Sequence, residues 1–270
     1  MKIHIDISET EYFIDTSRLD VISIPMNFHG SQPNTYDVDK ASAKAYEAGS
    51  FVGDTRRGGG CNFEEYRLIT HCNGTHTECA GHISIDRIHV NRFVNDLLIP
   101  STLISIEPLP ADKTEESYDP PKNAGDLLIT AGSLKSKLKS GNGDFLNGLI
   151  IRTLPNGEEK MSRQYSQMHP PFFSVEAMEY IVEIGVNHLL IDMPSVDRTF
   201  DEGRLTAHHI FWNVPFGSHE INGGNCSRKT ITEMIFADNR IPDGRYFASI
   251  QIPDFMADAA PSRVLIYPLC

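Results

Sequence analysis

Hydrophobic and polar positions along the chain alternate with period two in some stretches and gather into short apolar runs in others, and both patterns predict strands. Lys2 to Ser8 alternates and reads as a strand, with a second short one over Asp20 to Pro25. Glu65 to Thr70 alternates again and delivers the chain into a turn at Asn73-Gly74. Thr102 to Ile106, rich in β-branched residues and bounded by Pro100 and Pro108, is a further strand. Asp126 to Thr130 and Gly148 to Thr153 follow, with a short helix predicted between them over Ala131 to Leu138. Ser174 stands where an N-cap belongs for a helix running to Ile184, with Glu176 at its positive end and Gly185 as its stop. Val186 to Met193 is a buried strand, and Arg245 to Ile252 and Arg263 to Leu269 are strand-like. This β-α-β rhythm predicts a mixed α/β fold. Nothing in the pattern demands a second domain, so residues 1–270 are read as one.

Asn27 to Gly60 is polar and glycine-bearing, with a short helix predicted over Lys40 to Ala48. Arg57-Gly58-Gly59-Gly60 reads as a mobile loop bordering a site; it lacks the strand, helix and following Lys-Ser/Thr of a phosphate-cradling loop. Residues 154–172 are loop by composition.

Composition narrows the class. With 40% hydrophobic and 22% charged residues the chain can bury a substantial core. Lys+Arg 24 against Asp+Glu 36 leaves a net charge of −12, which argues against a nucleic-acid surface. The five cysteines are odd in number and form no CxxC pair, so a reducing compartment is expected rather than a disulfide scaffold. The N-terminus has no signal-peptide core, and even Leu97 to Leu109 is interrupted by prolines and polar residues, so no membrane span is expected. Together these predict a soluble cytoplasmic protein.

The chemistry concentrates in Thr70 to Ile83, THCNGTHTECAGHI, with three histidines, two cysteines and one glutamate. His76 and Glu78 are two residues apart, so in an extended segment they point the same way, and their donor types suit a divalent metal such as Zn or Mn. Cys72 or His71, or both, could add a donor from the strand end. A catalytic metal keeps a coordination position for water, and His82, four residues beyond Glu78, is placed to act as a general base. Polar loop residues are the bland alternative for any one of these, but five potential ligands between Cys72 and His82 favour a site. Farther on, Thr206 to Trp212 holds His208 and His209, and Glu233 sits among apolar and β-branched neighbours, where a buried carboxylate needs a partner. Asp197, in the turn after the Val186 to Met193 strand, is a candidate or a turn cap.

CNGTHTECAGH resembles the HxGTHxDxPxH signature of the cyclase or kynurenine formamidase-like metal-dependent hydrolases. SVEAMEYIVEIGVNHLLIDMPSVDR is similar to that family's segment ending in TPSVD, and His208, Glu233 and Ile241-Pro242-Asp243-Gly244-Arg245-Tyr246 follow in the family's order. The resemblance implies a mixed β-barrel-like sheet with flanking helices, of the swivelling β/β/α type, assembled as a dimer or tetramer. It implies metal ligands at Cys72, His76, Glu78, His208 and Glu233, one or two divalent ions with Glu78 bridging when two bind, and His82 in catalysis. Three departures stand out: cysteine at the first signature position, with His71 one residue earlier; Glu for Asp at 78; and a long stretch between His208 and Glu233. His71, His209 and Glu220 are the rival ligands, and a thiolate at Cys72 would favour Zn over Mn.

The activity this implies is metal-dependent hydrolysis of an amide, such as an aryl formamide, or of a cyclic amide or ester. The alternatives are a non-catalytic relative that binds a metabolite or partner in the same pocket, and, ranked last, a reactive-thiol enzyme using Cys72 or Cys79.

Overall fold

A computed structural model describes residues 1–138, 143–221 and 226–270. Its centre is a nine-stranded sheet in the order Ala259–Pro261, His76–Glu78, Thr230–Glu233, His188–Ile191, Gly148–Thr153, Ile99–Ile106, Gly244–Gln251, Arg263–Pro268, Asp20–Val21. The four strands from Thr230–Glu233 to Ile99–Ile106 run parallel to one another. The outer strands on both sides are antiparallel.

Covalent connectivity forces the sheet to curl. Ala259–Pro261 forms one edge, yet only Ser262 separates it from Arg263–Pro268 near the other edge. Two peptide units span roughly 7 Å at most, so the two ends of the sheet must meet. Bonds across the seam hold them together: Ile24 N donates to Thr75 Oγ1 (2.8 Å), and Phe236 N donates to Ile22 O (2.7 Å). The result is an α/β fold built on a curled half-barrel with few helices.

The alternation of the parallel strands divides the core. Leu149, Ile151, Leu189, Ile191 and Ile231 face the helices, whereas Ile150 and Leu190 pack on the opposite face with Ile99, Leu103 and Val264. Gly148–Thr153 is buried at every residue, as a strand covered on both faces must be. Burying each such aliphatic side chain contributes about 1.5–3 kcal/mol.

Helix α1 (Ala131–Lys137) starts in a reciprocal capping box between Thr130 and Ser133. Helix α2 (Val175–Glu183) starts at Ser174, whose hydroxyl accepts from Ala177 N, and it buries Ala177, Met178 and Ile181. Helix α3 (Thr206–Trp212) packs beside α2 and covers the sheet next to Thr230–Glu233. Among the described residues no helix is long and apolar enough to cross a membrane.

One expectation changes. Lys40 to Ala48 is not helical: Ser42–Ala45 is a strand paired with Glu64–Arg67, followed by a two-residue strand at Glu47–Ala48. Its Ala and Lys favour a helix, but exposure alternates along Ser42–Ala45 and cross-strand pairing overrides propensity. The Gly58 segment is a tight turn, in which a Cβ on Gly59 would lie 1.9 Å from Val52 O. The structure also adds the strand Thr10–Asp15, hairpinned to Lys2–Ile7, and the edge strand Ala259–Pro261.

Candidate metal centre

The signature enters the sheet through a turn, and two glycines explain its spacing. Gly74 has φ +149°, a conformation L side chains rarely adopt, and its carbonyl accepts from His76 Nδ1 (2.9 Å). A Cβ on Gly81 would lie 2.3 Å from Ile88 O, so only glycine lets that segment pass. Between them His76–Glu78 is a strand, antiparallel to Thr230–Glu233, with His76 opposite Glu233 and Glu78 opposite Ile231. His76 and Glu78 share a face because strand side chains repeat every second residue. Glu233 shares the helix-facing side with Ile231, and α3 brings His208 down onto it. Met234, just after Glu233, and Leu205, just before α3, both have positive φ, local strain of the kind that gathers at functional sites.

Asp197 sets the last donor. Its carboxylate accepts from Ala207 N (2.6 Å) and His208 N (3.2 Å) at the start of α3, and it also lies 2.6 Å from His208 Nδ1. This turns His208 Nε2 toward Glu78 Oε1, at 3.0 Å, with Glu233 Oε1 at 4.0 Å. A carboxylate behind one ring nitrogen is the usual support for a ligand histidine. His76 is held likewise: Nδ1 donates to Gly74 O, while Nε2 is fully buried, 3.4 Å from Glu233 Oε2, and has no hydrogen-bond partner. His82 stands at the rim, its Nδ1 3.9 Å from Glu78 Oε2 and 3.7 Å from Asp258 Oδ2.

The charges inside this cluster shape one another. Burial alone would raise the Glu78 carboxyl, yet His82, His208 and His71 hold it well below the usual carboxylate range. Burial and then the Glu78 charge push Glu233 up, against His76 and His208. Burial disfavours charge on His208, but Asp197 and Glu78 keep it protonated well above the ordinary range. For His71 the same contest, with Asp258 and Glu78 opposing burial, ends at about 10. In the chain alone, the protons held on His71 and His208 offset part of the charge on the carboxylates they face.

A divalent cation can take over that neutralising role. An unpartnered buried ring nitrogen, a second supported imidazole and two buried carboxylates converge, and these are donors of the right type for Zn or Mn. Three overlapping sets have ligand atoms within 4.8 Å of one another: His71, His76 and Glu78; Glu78, His82 and His208; and His71, His82 and Asp258. Glu78 belongs to two of them.

His76, Glu78 and His208 come together with His82 beside them, and Glu233, though in none of the three sets, lies 3.4 Å from His76 Nε2 and 4.0 Å from His208 Nε2. His76 and Glu78 sit on a sheet strand rather than in a loop after one, Glu233 on the neighbouring strand and His208 on α3. Cys72 also joins none of the three sets among the described residues, whereas the neighbouring His71 joins two and places Nδ1 3.0 Å from Glu78 Oε2. Residues 70–74 form a turn, so the fit of Cys72 to the signature position without an insertion does not decide which side chain faces the centre. Burial and then the Glu233 charge push the Cys72 thiol up to about 11. Of the distal rivals, His209 uses Nδ1 on Val214 O (3.0 Å), and Glu220 is exposed. Asp258 is the residue that sequence reasoning missed. It lies in Pro253-Asp254-Phe255-Met256-Ala257-Asp258, where nothing in pattern or motif marks it.

Fold and site now place the chain among known proteins. The Putative cyclase family matches residues 8–198, and the chain belongs to that family. The matched span includes the signature and Asp197 but ends before His208 and Glu233. Similar solved structures include a potential metal-dependent hydrolase with cyclase activity, 16% identical, covering 93% of this chain and 98% of its own at TM-score 0.56. A predicted metal-dependent hydrolase from Bacillus stearothermophilus is 17% identical, with the same coverages, at TM-score 0.54. Isatin hydrolase A from Labrenzia aggregata, bound to benzyl benzoate, is 12% identical with 93% of each chain covered, at TM-score 0.57. No curated protein matches the sequence.

Proposed function

We propose that the chain is a metal-dependent hydrolase that opens an amide, either an aryl formamide or a cyclic amide, or a cyclic ester. The observation that carries this reading is the buried, unpartnered Nε2 of His76 amid Glu78, His208 and Glu233. Those four residues would hold the cation. When bound, a divalent ion lowers the pKa of water and polarises a carbonyl.

The protein's own groups supply the rest. His82 is half-buried, with its side chain 28% exposed, so it reaches both the centre and an arriving substrate. It takes a proton from the attacking water and returns it to the leaving nitrogen or oxygen. The carboxylates of Glu78 and Asp258, each within 4 Å of Nδ1, favour the imidazolium that forms between these steps. Trp212, 6.5 Å from the His82 ring, backs it on the α3 side. Tyr36 meets Phe200 edge to face at 6.4 Å; burial raises its phenol, and the Glu233 charge adds to this. That aromatic pair beside the centre favours a flat, ring-bearing substrate. Isatin, named for one of the similar structures, is a cyclic amide of that shape.

A thiol nucleophile is disfavoured, because burial pushes Cys72 to about 11 and Cys79 to about 12, away from the thiolate. A homodimer or homotetramer and a cytoplasmic location are part of the proposal, and light scattering of the purified protein tests the first.

The test is a panel of aryl formamides, isatin, lactams and lactones offered to Zn- and Mn-loaded protein. Hydrolysis of at least one member is expected, with kcat reduced about 10²–10⁴-fold in His82→Ala. A panel that stays intact, with His82→Ala indistinguishable from the unaltered chain, contradicts the reading.

A further inference from the structure

We infer that Asp258 is a positioning residue that makes His71 a donor of the centre, in the place the signature gives to Cys72; the inference rests on the metal-dependent reading above. The chain leaves Glu64–Arg67 and enters a turn closed by Cys72 N and Asn73 N, both donating to Ile69 O (3.0 and 3.1 Å), and by Ile69 N donating to Asn73 Oδ1 (2.6 Å). In a turn, successive side chains are not sent to opposite faces, so local partners decide which one faces the centre.

For His71 those partners are explicit. Nε2 lies 2.8 Å from Asp258 Oδ2, and Nδ1 lies 3.0 Å from Glu78 Oε2. The ring stacks on His82 at 4.3 Å and meets His76 edge-on at 5.1 Å. With Nε2–H donating to Asp258 Oδ2 and the Nδ1 proton displaced by a cation, the ring would present the Nδ1 lone pair to the centre. A carboxylate holding the far nitrogen of a ligand histidine is the arrangement that fixes tautomer and orientation at metal sites.

Asp258 is tied to the signature by backbone as well. Its carbonyl accepts from Cys79 N (3.0 Å), and the next residue, Ala259, pairs with Glu78 in the sheet. The pairing that registers Glu78 therefore also registers Asp258. Cys72 has no comparable arrangement: its Sγ belongs to none of the donor sets among the described residues. The one-residue offset between His71 and the signature position is thus compensated by a carboxylate from the sheet edge.

The test uses the full chain, with zinc affinity measured by competition against a chromophoric chelator and cobalt(II) absorption recorded on the same proteins. Asp258→Asn is expected to weaken zinc binding about 10–100-fold and to shift the cobalt ligand-field bands, with far-UV circular dichroism unchanged. Asp258→Glu recovers part of the loss. His71→Ala weakens binding at least as much as Asp258→Asn, and Cys72→Ser leaves it unchanged. The unaltered chain shows no sulfur-to-cobalt charge-transfer band. The inference is overturned by such a band that vanishes in Cys72→Ser, or by unchanged affinity in Asp258→Asn and His71→Ala while the panel is still hydrolysed. Failure of the unaltered chain to bind either ion overturns both this inference and the hydrolase reading. Should His71→Ala not fold, the Asp258 variants and the cobalt spectrum decide; the Asp258 side chain is 41% exposed, so its replacement opens no core cavity.

Discussion

Two buried charge clusters sit near the carboxyl ends of the parallel strands, and only one is closed. In the first, Lys160 Nζ donates to Thr153 O (2.6 Å), Thr153 Oγ1 (2.9 Å) and Asp192 Oδ2 (2.7 Å). Thr153 in turn donates its N–H and its hydroxyl to the same Asp192 carboxylate. All three ammonium protons have acceptors, and one cation faces one carboxylate. In the second, Glu78, Glu233, Asp197 and Asp258 face four histidines, and His76 Nε2 has no partner at all. Burial penalises charge in both, lowering Lys160 and raising Asp192 and Glu233. The difference lies in what is left over. A network with no spare donor or acceptor has nothing to offer a ligand, whereas the open one does.

That comparison is broken most severely by removing Glu78, which, like His71 and His82, belongs to two donor sets and, unlike them, is fully buried. Glu78→Ala is expected to lose both bound metal and hydrolysis while remaining folded, as read by elemental analysis and circular dichroism. The closed cluster responds in the opposite currency. Lys160→Met leaves Asp192 buried without its counter-ion and costs about 3–5 kcal/mol in urea denaturation, with metal content per chain unchanged.

A subtler effect follows from protonation. His208 and His71 are held protonated above the ordinary histidine range, His71 to about 10, so near neutral pH a cation must displace their protons. Metal binding should therefore release protons, seen as a buffer-dependent enthalpy in calorimetry, and affinity should rise with pH until about 10. In the metal-free chain the sign is reversed. The raised His71 pKa contributes stability that is fully present below 6.5 and is lost as the pH climbs through about 10. The smallest effect belongs to the exposed rival: Glu220→Gln should change neither metal content nor activity, and stability by no more than about 0.5 kcal/mol.

The site was legible where chemistry and local geometry coincide. His76 and Glu78 show a strand's spacing and form a strand, and Ser174 and Gly185 bracket α2 at the cap and stop positions. His208 and Glu233 could be picked out by residue type and order, but their meeting depends on α3 folding over the sheet. Cys72 was favoured over His71 because it meets the signature position without an insertion, whereas in the turn at residues 70–74 local partners decide which side chain faces the centre. Asp258 acts through the pairing of Ala259 with Glu78, about 180 residues distant in sequence, and no local pattern carries such a contact. Ser42–Ala45 was misread because its Ala and Lys suit a helix and only the distant Glu64–Arg67 strand makes it extended.

The most direct measurement is the metal content of the purified full-length chain beside that of His76→Ala. About one or two divalent ions per unaltered chain, lost when the unpartnered imidazole is removed, is the expected result. A well-folded unaltered chain that holds no ion after incubation with zinc and manganese, or a His76→Ala chain that keeps its full complement, would contradict the account.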